Sequence, residues 1–376
     1  MTINVISLCS DLIKCKSVTP ADDGALEQIS SFLRSIGFET TILTFSSPDS
    51  SNSIKNLFAK YGSSGKRTLG FLGHTDVTPP GDNWEVDPFA ALPKDGFLIG
   101  RGAIDMKGGI SAFCCAVQQF VRQKFDGSIE FFITGDEEVG SPEGTLSLLE
   151  WMVDNEYTPH DCLVGEPSSD KVLGDRIFLG HRGSMNVSVK SNGKQGHSAY
   201  PENYRNSLAD LCRYIVKMLN YEWKHEDKRF PPTNLEPTLL FTNNYATNVV
   251  PDKSSANLNI RFGGDYNSDS IKQILLKEAK AFEIYLDFNV SGESYYCCNK
   301  ELKVLLSEAI RETANIDPTF SAAGGTSDGR HMARHCNVIE FGPLDATMHQ
   351  KNERIKIADL QKLEKIYLAF LKKYFA

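Results

Sequence analysis

Three short apolar segments, each followed at once by residues that can bind a metal, constrain the fold of this chain more than any other feature. These segments and the residues after them are 68–72 with His74, 128–134 with Glu137 and Glu138, and 162–164 with Glu166. Stretches with the apolar spacing of helices separate the segments, and this alternation is typical of a parallel α/β sheet. In such sheets, ligands bind beyond the carboxyl ends of the strands. The pattern predicts an α/β fold, with a mostly parallel sheet flanked by helices and one polar site at its carboxyl edge.

A glycine-rich stretch, residues 100–109, adds a further carboxylate to this set. It places Asp105 directly before a segment with the apolar spacing of a helix, and its glycines let the backbone turn tightly. Clusters of Gly and Asp are usually turns, and Asp is a common helix cap, so this stretch alone is also compatible with a purely structural role. The other candidate ligands, including His349 near the end of the chain, favour a functional one.

The residues beside the candidate ligands suit a catalytic site. His74 and Asp76 are two apart, so in an extended chain they face the same side, as a metal-bound imidazole and its orienting carboxylate would. A core histidine with a hydrogen-bond partner is the alternative. The side chains of Glu137 and Glu138 diverge, so one could bind metal while its neighbour handles a proton. A solvated acidic turn is the alternative there.

Five of these residues could hold two metal ions if one carboxylate bridges them. They are His74, Asp105, Glu138, Glu166 and His349. Carboxylates with imidazoles, and no thiolates, suit zinc, cobalt or manganese in an open catalytic site rather than a closed structural one. The sequence is therefore compatible with an open catalytic centre that holds two metal ions.

The length of 376 residues indicates two domains rather than one. Between residues 180 and 292, the predicted elements follow the order β-α-β-β-α-β, which is typical of a ferredoxin-like layer. We therefore expect a catalytic domain made of residues 1–179 and 293–376, with residues 180–292 inserted as a second, α+β domain.

Charge and hydropathy exclude several classes of partner. The net charge is −8, with no cluster of basic residues, which argues against nucleic acid or an anionic membrane. No apolar run approaches the roughly 20 residues of a membrane span, and no signal peptide is visible. Nine cysteines occur without a CxxC pair and indicate buried free thiols, although the state of Cys297 and Cys298 stays open. We expect a cytoplasmic protein.

Seven motifs along nearly the whole chain point to one family. They are GHTDVTPPG (73–81), GRGAIDMKGG (100–109), GDEEVG (135–140), VGEPSS (164–169), GKQGHSAYPE (193–202), GGTSDGR (324–330) and GPLDATMHQKNE (342–353). With these motifs, the chain resembles the co-catalytic metallopeptidase family that includes aminoacylases, acetylornithine deacetylase and glutamate carboxypeptidase. The motif at 324–330 is typical of the branch that removes succinyl groups from amino-acid substrates.

The resemblance implies two divalent metal ions per subunit, zinc or alternatively cobalt. His74 and Glu166 would bind one ion, Glu138 and His349 the other, and Asp105 would bridge the two. Asp76 would orient His74, and Glu137 would be the general base. His197 corresponds to a histidine that stabilises the oxyanion in the partner subunit's active site, which implies a homodimer with an inserted dimerisation domain. Without the resemblance, His197 in its loop would be taken for a surface histidine.

Substrate contacts are implied at eight further positions. They are Arg182, Ser184, Tyr200, Asn248, Arg261, Gly325, Thr326 and Asp345. Two positions depart from the pattern of the succinyl-removing branch, which usually has arginine where this chain has His181 and asparagine where it has Asp345. Arginine binds carboxylates bidentately and is always charged, whereas histidine near neutral pH is mostly neutral. These departures bear on acyl specificity and leave the metal ligands unchanged.

The function implied is hydrolysis of a linear amide on an N-acylated amino acid. Another deacylase of the family would share every metal ligand, and a dipeptidase is a further alternative. A catalytically inert metal-binding scaffold is the alternative from a different class. The presence of Glu137 argues against that scaffold, which would not need a general base.

Overall fold

The computed structural model describes residues 3–46, 53–63, 66–140 and 142–376. It divides into two compact units, the first made of Met1–Gly180, Cys297–Ser321 and Ser327–Ala376 and the second of His181–Tyr296 and Ala322–Thr326. The α-helices of the described residues are α1 (Val5–Lys14), α2 (Ala25–Ser35), α3 (Lys107–Phe120), α4 (Thr145–Asp154), α5 (Ser207–Leu219), α6 (Ser268–Ala279), α7 (Lys300–Ala314), α8 (Gly329–Met332) and α9 (Ile357–Tyr374).

The strands of the described residues form two large sheets, one three-stranded sheet and two short pairs. They are β1 (Glu39–Ser46), β2 (Ser53–Gly62), β3 (Thr68–His74), β4 (Leu92–Lys94), β5 (Phe97–Ile99), β6 (Ser128–Thr134), β7 (Asp161–Val164), β8 (Arg176–Phe178), β9 (Gly180–His181), β10 (Gly183–Asn192), β11 (Gly196–His197), β12 (Asn234–Phe241), β13 (Val249–Val250), β14 (Lys253–Phe262), β15 (Ile284–Gly292), β16 (Tyr295–Tyr296), β17 (Thr319–Ser321), β18 (Asn337–Glu340) and β19 (Arg354–Lys356). None of the helices in the described ranges has the length and apolar content needed to cross a bilayer.

The first unit is built on an eight-stranded sheet in the order β1-β2-β6-β3-β7-β18-β8-β17. Strands β6, β3, β7 and β18 run parallel to one another, while β2 pairs antiparallel with both β6 and β1, so that β1 and β2 form an antiparallel margin. Every residue of β3, β6 and β7 is buried, as expected of strands covered on both faces. The predicted α/β class, a mostly parallel sheet flanked by helices, is confirmed.

Aromatic side chains form the centre of this unit. Phe71 of β3 stacks on Phe113 of α3 with ring centroids 4.2 Å apart, and Tyr367 of α9 meets Phe113 edge-on at 5.5 Å. All three are fully buried, and burial of one such side chain contributes roughly 1.5–3 kcal/mol. This packing fixes α3 and α9 against the central strands, and with them the polar residues at the strand ends.

The second unit is a four-stranded antiparallel sheet in the order β12-β14-β10-β15. Along the chain, its elements follow the order β10-α5-β12-β14-α6-β15, with the first and third strands at the centre of the sheet. This is the ferredoxin-like arrangement expected for the inserted region. Alternate residues of β10, Met185, Val187 and Val189, are buried in a core shared with α5 and α6.

Candidate active site

The candidate metal ligands of the first unit lie at the carboxyl ends of neighbouring parallel strands. His74 is the last residue of β3, and Glu166 follows β7 by two residues. Glu137 and Glu138 follow β6, and Asp105 comes two residues before α3. Strand β3 pairs in parallel with both β6 and β7, so the three strand ends lie side by side.

Asp105 lies between two imidazoles and directs one carboxylate oxygen to each. His74 Nε2 is 3.1 Å from Asp105 Oδ1 and 3.5 Å from Glu166 Oε1. His349 Nε2 is 2.8 Å from Asp105 Oδ2 and 3.1 Å from Glu138 Oε1. The structure thus brings together the five residues predicted to hold metal, with Asp105 shared by the two halves of the site.

Asp76 contacts both halves of the predicted catalytic machinery. The Nδ1 atom of His74 lies 2.9 Å from the backbone oxygen of Asp76 and 3.5 Å from its Oδ1. The Asp76 carboxylate accepts the backbone N–H groups of Glu137 and Glu138, each at 3.1 Å, and the hydroxyl of Thr19 at 2.8 Å. Asp76 therefore fixes the Glu137–Glu138 turn as well as the imidazole.

The buried ionisable groups of the site shift one another's pKa values strongly. Burial disfavours charged His74, but hydrogen bonds to Asp105, Asp76 and Glu166 outweigh it and raise the pKa of His74. Hydrogen bonds to Asp105 and Glu138 raise the pKa of His349 to about 10. Burial and the Asp105 charge raise the pKa of Glu166 to about 8. Buried carboxylates this close together repel one another, and nearby positive charge stabilises them by offsetting that repulsion.

Divalent cations fit this donor set. The ligand atoms of His74, Glu137 and Glu166 lie within 4.8 Å of one another, and so do those of Asp105, Glu138 and His349. Each group offers carboxylate oxygens and one imidazole nitrogen, which are the donors that zinc and its neighbours among the transition metals accept. The structure thus contains two groups of residues that could each hold a metal ion.

Glu137 has the environment of a proton acceptor. Desolvation, and then the nearby charge of Asp328, raise the pKa of Glu137 well above its usual range. Asp328 is itself buried and accepts a hydrogen bond from the hydroxyl of Thr145. A carboxylate whose pKa is raised binds a proton more readily, so it can take a proton from one group and return it to another. Asp328 was not among the predicted site residues, although it lies in the 324–330 motif.

Glu353 is a second residue of the site that was not predicted from the sequence. It is fully buried and accepts hydrogen bonds from Arg101 Nη1 at 2.6 Å, from the N–H of Ile104 at 2.8 Å and from the N–H of Asp105 at 3.2 Å. It therefore holds the backbone from which the shared carboxylate projects. Its only signal in the sequence is its place at the end of the last motif, four residues after His349.

In the second unit, three of the predicted residues lie close together. His197 pairs with Val249 between β11 and β13, and the N–H of Ser198 donates to the backbone oxygen of Asn248 at 2.9 Å. The Tyr200 ring lies 5.5 Å from the imidazole of His197. Nδ1 of His197 accepts the N–H of Ala199 at 3.1 Å, so in the neutral ring the proton is on the exposed Nε2.

Arg182, Ser184 and Arg261 form another group in the second unit. Ser184 is opposite Arg261 in the register of β10 and β14, and Arg182 Nη1 donates to Asn234 Oδ1 at 2.8 Å. Burial, and then the charge of Arg261, lower the pKa of Arg182. Two neighbouring arginines of this kind favour an anionic ligand.

The remaining predicted residues are divided between the units. Gly325 and Thr326 belong to the second unit, while Asp345 belongs to the first and accepts a hydrogen bond from Arg176 at 2.8 Å. His181, the departure from arginine, is buried with its ring 5.9 Å from that of Tyr295.

Comparisons with known proteins agree with this architecture. Residues 70–373 match Peptidase family M20/M25/M40. The chain is 41% identical to a succinyl-diaminopimelate desuccinylase of Cereibacter sphaeroides over 386 residues, covering 100% of both chains. It is 40% identical to one of a Bradyrhizobium species, covering 99% of this chain and 100% of that one. An M20 family metallo-carboxypeptidase from Sulfolobus solfataricus has the same fold, with a TM-score of 0.79, 17% identity and 99% of each chain covered. The chain therefore belongs to peptidase family M20/M25/M40.

Proposed function

We propose that this protein is a di-metal amidohydrolase that hydrolyses N-succinyl-LL-2,6-diaminopimelate to succinate and LL-diaminopimelate. The observation on which the chemistry rests is the placement of Asp105, with one oxygen toward each of two histidines and Glu137 close by. The choice of substrate rests on the similarity, over the full length of the chain, to desuccinylases that act on this compound.

Two zinc ions, or cobalt in their place, fit the donors of this site. His74 and Glu166 would hold one ion and Glu138 and His349 the other, with Asp105 between them. When bound, a pair of such ions supplies Lewis acidity, polarising the amide carbonyl and making a water molecule easier to deprotonate.

Proton transfer is the task of Glu137. Its carboxylate takes a proton from the attacking water as the new C–O bond forms on the amide carbon. It then gives that proton to the nitrogen as the C–N bond breaks, so that the products are a carboxylic acid and an amine. Nε2 of His197, which carries the proton of the neutral ring, would donate a hydrogen bond to the developing oxyanion. Arg182 and Arg261 would bind the free carboxylate of the succinyl group.

This reaction belongs to the biosynthesis of lysine and peptidoglycan, and we place the enzyme in the cytoplasm. Five buried cysteines are free thiols, as suits a reducing compartment: Cys9, Cys15, Cys114, Cys115 and Cys162. The net charge of −8 and the cation-binding site favour a small-molecule substrate over nucleic acid or membrane.

The substrate assignment is tested by comparing turnover of N-succinyl-LL-diaminopimelate with that of N-acetylornithine, after addition of zinc or cobalt to the purified enzyme. We expect kcat/KM to favour the succinyl substrate by about 100-fold or more, because the acetyl group has no carboxylate for two arginines to bind. Removal of metal with a chelator should abolish both activities. Equal turnover of the two substrates, or preference for the acetyl compound, would overturn the assignment.

We propose further that the enzyme is a homodimer, associated through its second unit. Strand β12 is at the margin of the sheet, and Leu239, Leu240 and Phe241 at its end are 52%, 53% and 54% exposed. An apolar sheet margin of this kind favours association with another chain. A second copy would also bring His197 to the neighbouring active site, as the family resemblance implies.

Mixed dimers provide a direct test of this arrangement. His197→Ala and Glu137→Gln should each be nearly inactive alone. In a hybrid of the two, one site combines an intact Glu137 with the partner subunit's His197, so random mixing should restore about one quarter of wild-type activity. The measurement is activity after the two variants are dissociated together and reassembled. A mixture no more active than its parents would show that His197 does not act across the dimer.

A further inference from the structure

A cavity of about 510 Å³ opens in the first unit, and none of its lining residues is a candidate metal ligand. It lies where β5, β19 and the first turns of α9 meet two loops, residues 171–173 and 343–347. A volume of this size is in the range of sites that bind small organic molecules.

The inner wall of the cavity is apolar. Four apolar side chains line it and are each at most 4% exposed, so they form a buried floor: Ile104, Leu173, Ile355 and Leu363. Val172 at the mouth is 50% exposed, which extends the apolar surface outward. A ligand with an apolar body would therefore remove hydrophobic surface from water both at the floor and at the mouth of the cavity.

The mouth of the cavity carries an excess of positive charge. Four cationic side chains line it, those of Lys171, Arg354, Lys356 and Lys362, against the single carboxylate of Asp359. Within the described ranges, no carboxylate forms an ion pair with any of the four. This local excess is unusual in a chain whose net charge is −8. It favours an anionic group on the ligand.

We propose that this cavity binds a small amphipathic anion. The apolar part of the ligand would pack on Ile104, Leu173 and Leu363, and its anionic group would lie among Arg354, Lys356 and Lys362. Neither the metal site nor the proposed hydrolysis uses these side chains, so the proposal stands independently of the proposed function.

The position of the cavity links its occupant to the candidate active site. Arg354 and Thr347 exchange two hydrogen bonds, from the N–H of Arg354 to Thr347 Oγ1 at 3.2 Å and from that hydroxyl to the oxygen of Arg354 at 3.3 Å. These bonds close the segment that carries His349. Ile104, on the cavity floor, directly precedes Asp105 and donates its N–H to Glu353. An occupant that contacts Thr347, Arg354 and Ile104 would therefore restrain the backbone of the metal site.

The test uses the fluorescent anion 8-anilino-1-naphthalenesulfonate on the full-length, metal-loaded enzyme. The variants are Lys362→Glu, which reverses one charge at the mouth, and Lys365→Glu, which makes the same change on α9 at a position outside the cavity. We expect Lys362→Glu to weaken dye affinity about tenfold and Lys365→Glu to leave it near the wild-type value. The uncharged analogue N-phenyl-1-naphthylamine should bind at least about tenfold more weakly than the anion.

Hydrogen exchange locates the bound dye. In the wild type and in Lys365→Glu, the dye should slow amide exchange in residues 343–356, and in Lys362→Glu this protection should be lost at the same dye concentration. Equal dye affinity in the two variants, protection confined to another region, or equal binding of the uncharged analogue would each overturn the proposal.

Discussion

Glu137→Gln is expected to bind metal as the wild type does and to lose roughly 100- to 10,000-fold in kcat. Glutamine has nearly the same size as glutamate, but its amide cannot take a proton from water and return it to the leaving amine. The backbone N–H of residue 137 would still donate to Asp76, so the turn after β6 should keep its conformation. The measurement is steady-state turnover of the succinyl substrate, together with metal content after reconstitution with zinc.

Metal content separates two roles that the geometry allows for this carboxylate. Glu137 lies close enough to His74 and Glu166 to act as a ligand itself. If it is a ligand, the variant should lose about one equivalent of metal along with activity; if it is the base, only activity should fall. Glu150→Gln, an exposed carboxylate on α4, is the matched control and should retain both. Near-native turnover of Glu137→Gln would rule out the general-base role.

The strands that could be predicted from the sequence are those whose residues are all buried. Strands β3, β6 and β7 are buried on both faces and therefore appear as continuous apolar runs. Strand β2 was not predicted, because it lies in the antiparallel margin of the sheet and mixes exposed Ser53 and Lys55 with buried residues. Its buried Asn56 gives no apolar signal either, because its side chain is polar and donates a hydrogen bond to the backbone oxygen of Glu143.

Side chains at strand ends were easier to predict than those that support them. His74, Asp105 and Glu166 stand next to recognisable strands or glycines, and parallel topology then brings them to one edge of the sheet. The carboxylate of Asp76 was predicted to orient His74, but its hydrogen bonds run mainly to the backbone of Glu137 and Glu138. Hydrogen bonds to backbone N–H groups cannot be predicted from residue type, because every residue except proline has an N–H to donate.

The contacts of Glu353 could not be predicted either, because its partner is distant along the chain. Its charged partner, Arg101, is 252 residues away along the chain, and only the folded arrangement of β5, β19 and the 342–353 segment brings them together. A glutamate in a polar stretch is usually on the surface, so residue type alone predicts an exposed position for Glu353. The structure instead buries it completely beneath Asp105.

Glu353→Ala is therefore expected to lower the free energy of unfolding of the first unit by about 3–5 kcal/mol. The change would leave the Arg101 guanidinium, whose side chain is 3% exposed, without its carboxylate and would leave the N–H groups of Ile104 and Asp105 without an acceptor. Loss of one partner from a buried ion pair costs more than the pair itself contributes, because the remaining charge stays desolvated. The measurement is the urea midpoint of the metal-free protein, so that metal binding does not enter the comparison.

Two further variants show how much of the stability loss in Glu353→Ala comes from the burial of the ion pair and how much from the lost charge. Glu301→Ala removes a carboxylate that also pairs with an arginine, Arg67, but on the surface of the same unit, and it should cost about 1 kcal/mol or less. Glu353→Gln keeps an oxygen that can accept from Ile104 and Asp105 while losing the charge, so its cost should fall between the two alanine variants. If Glu353→Ala were no more destabilising than Glu301→Ala, Glu353 would not be the support that holds Asp105 between the two histidines.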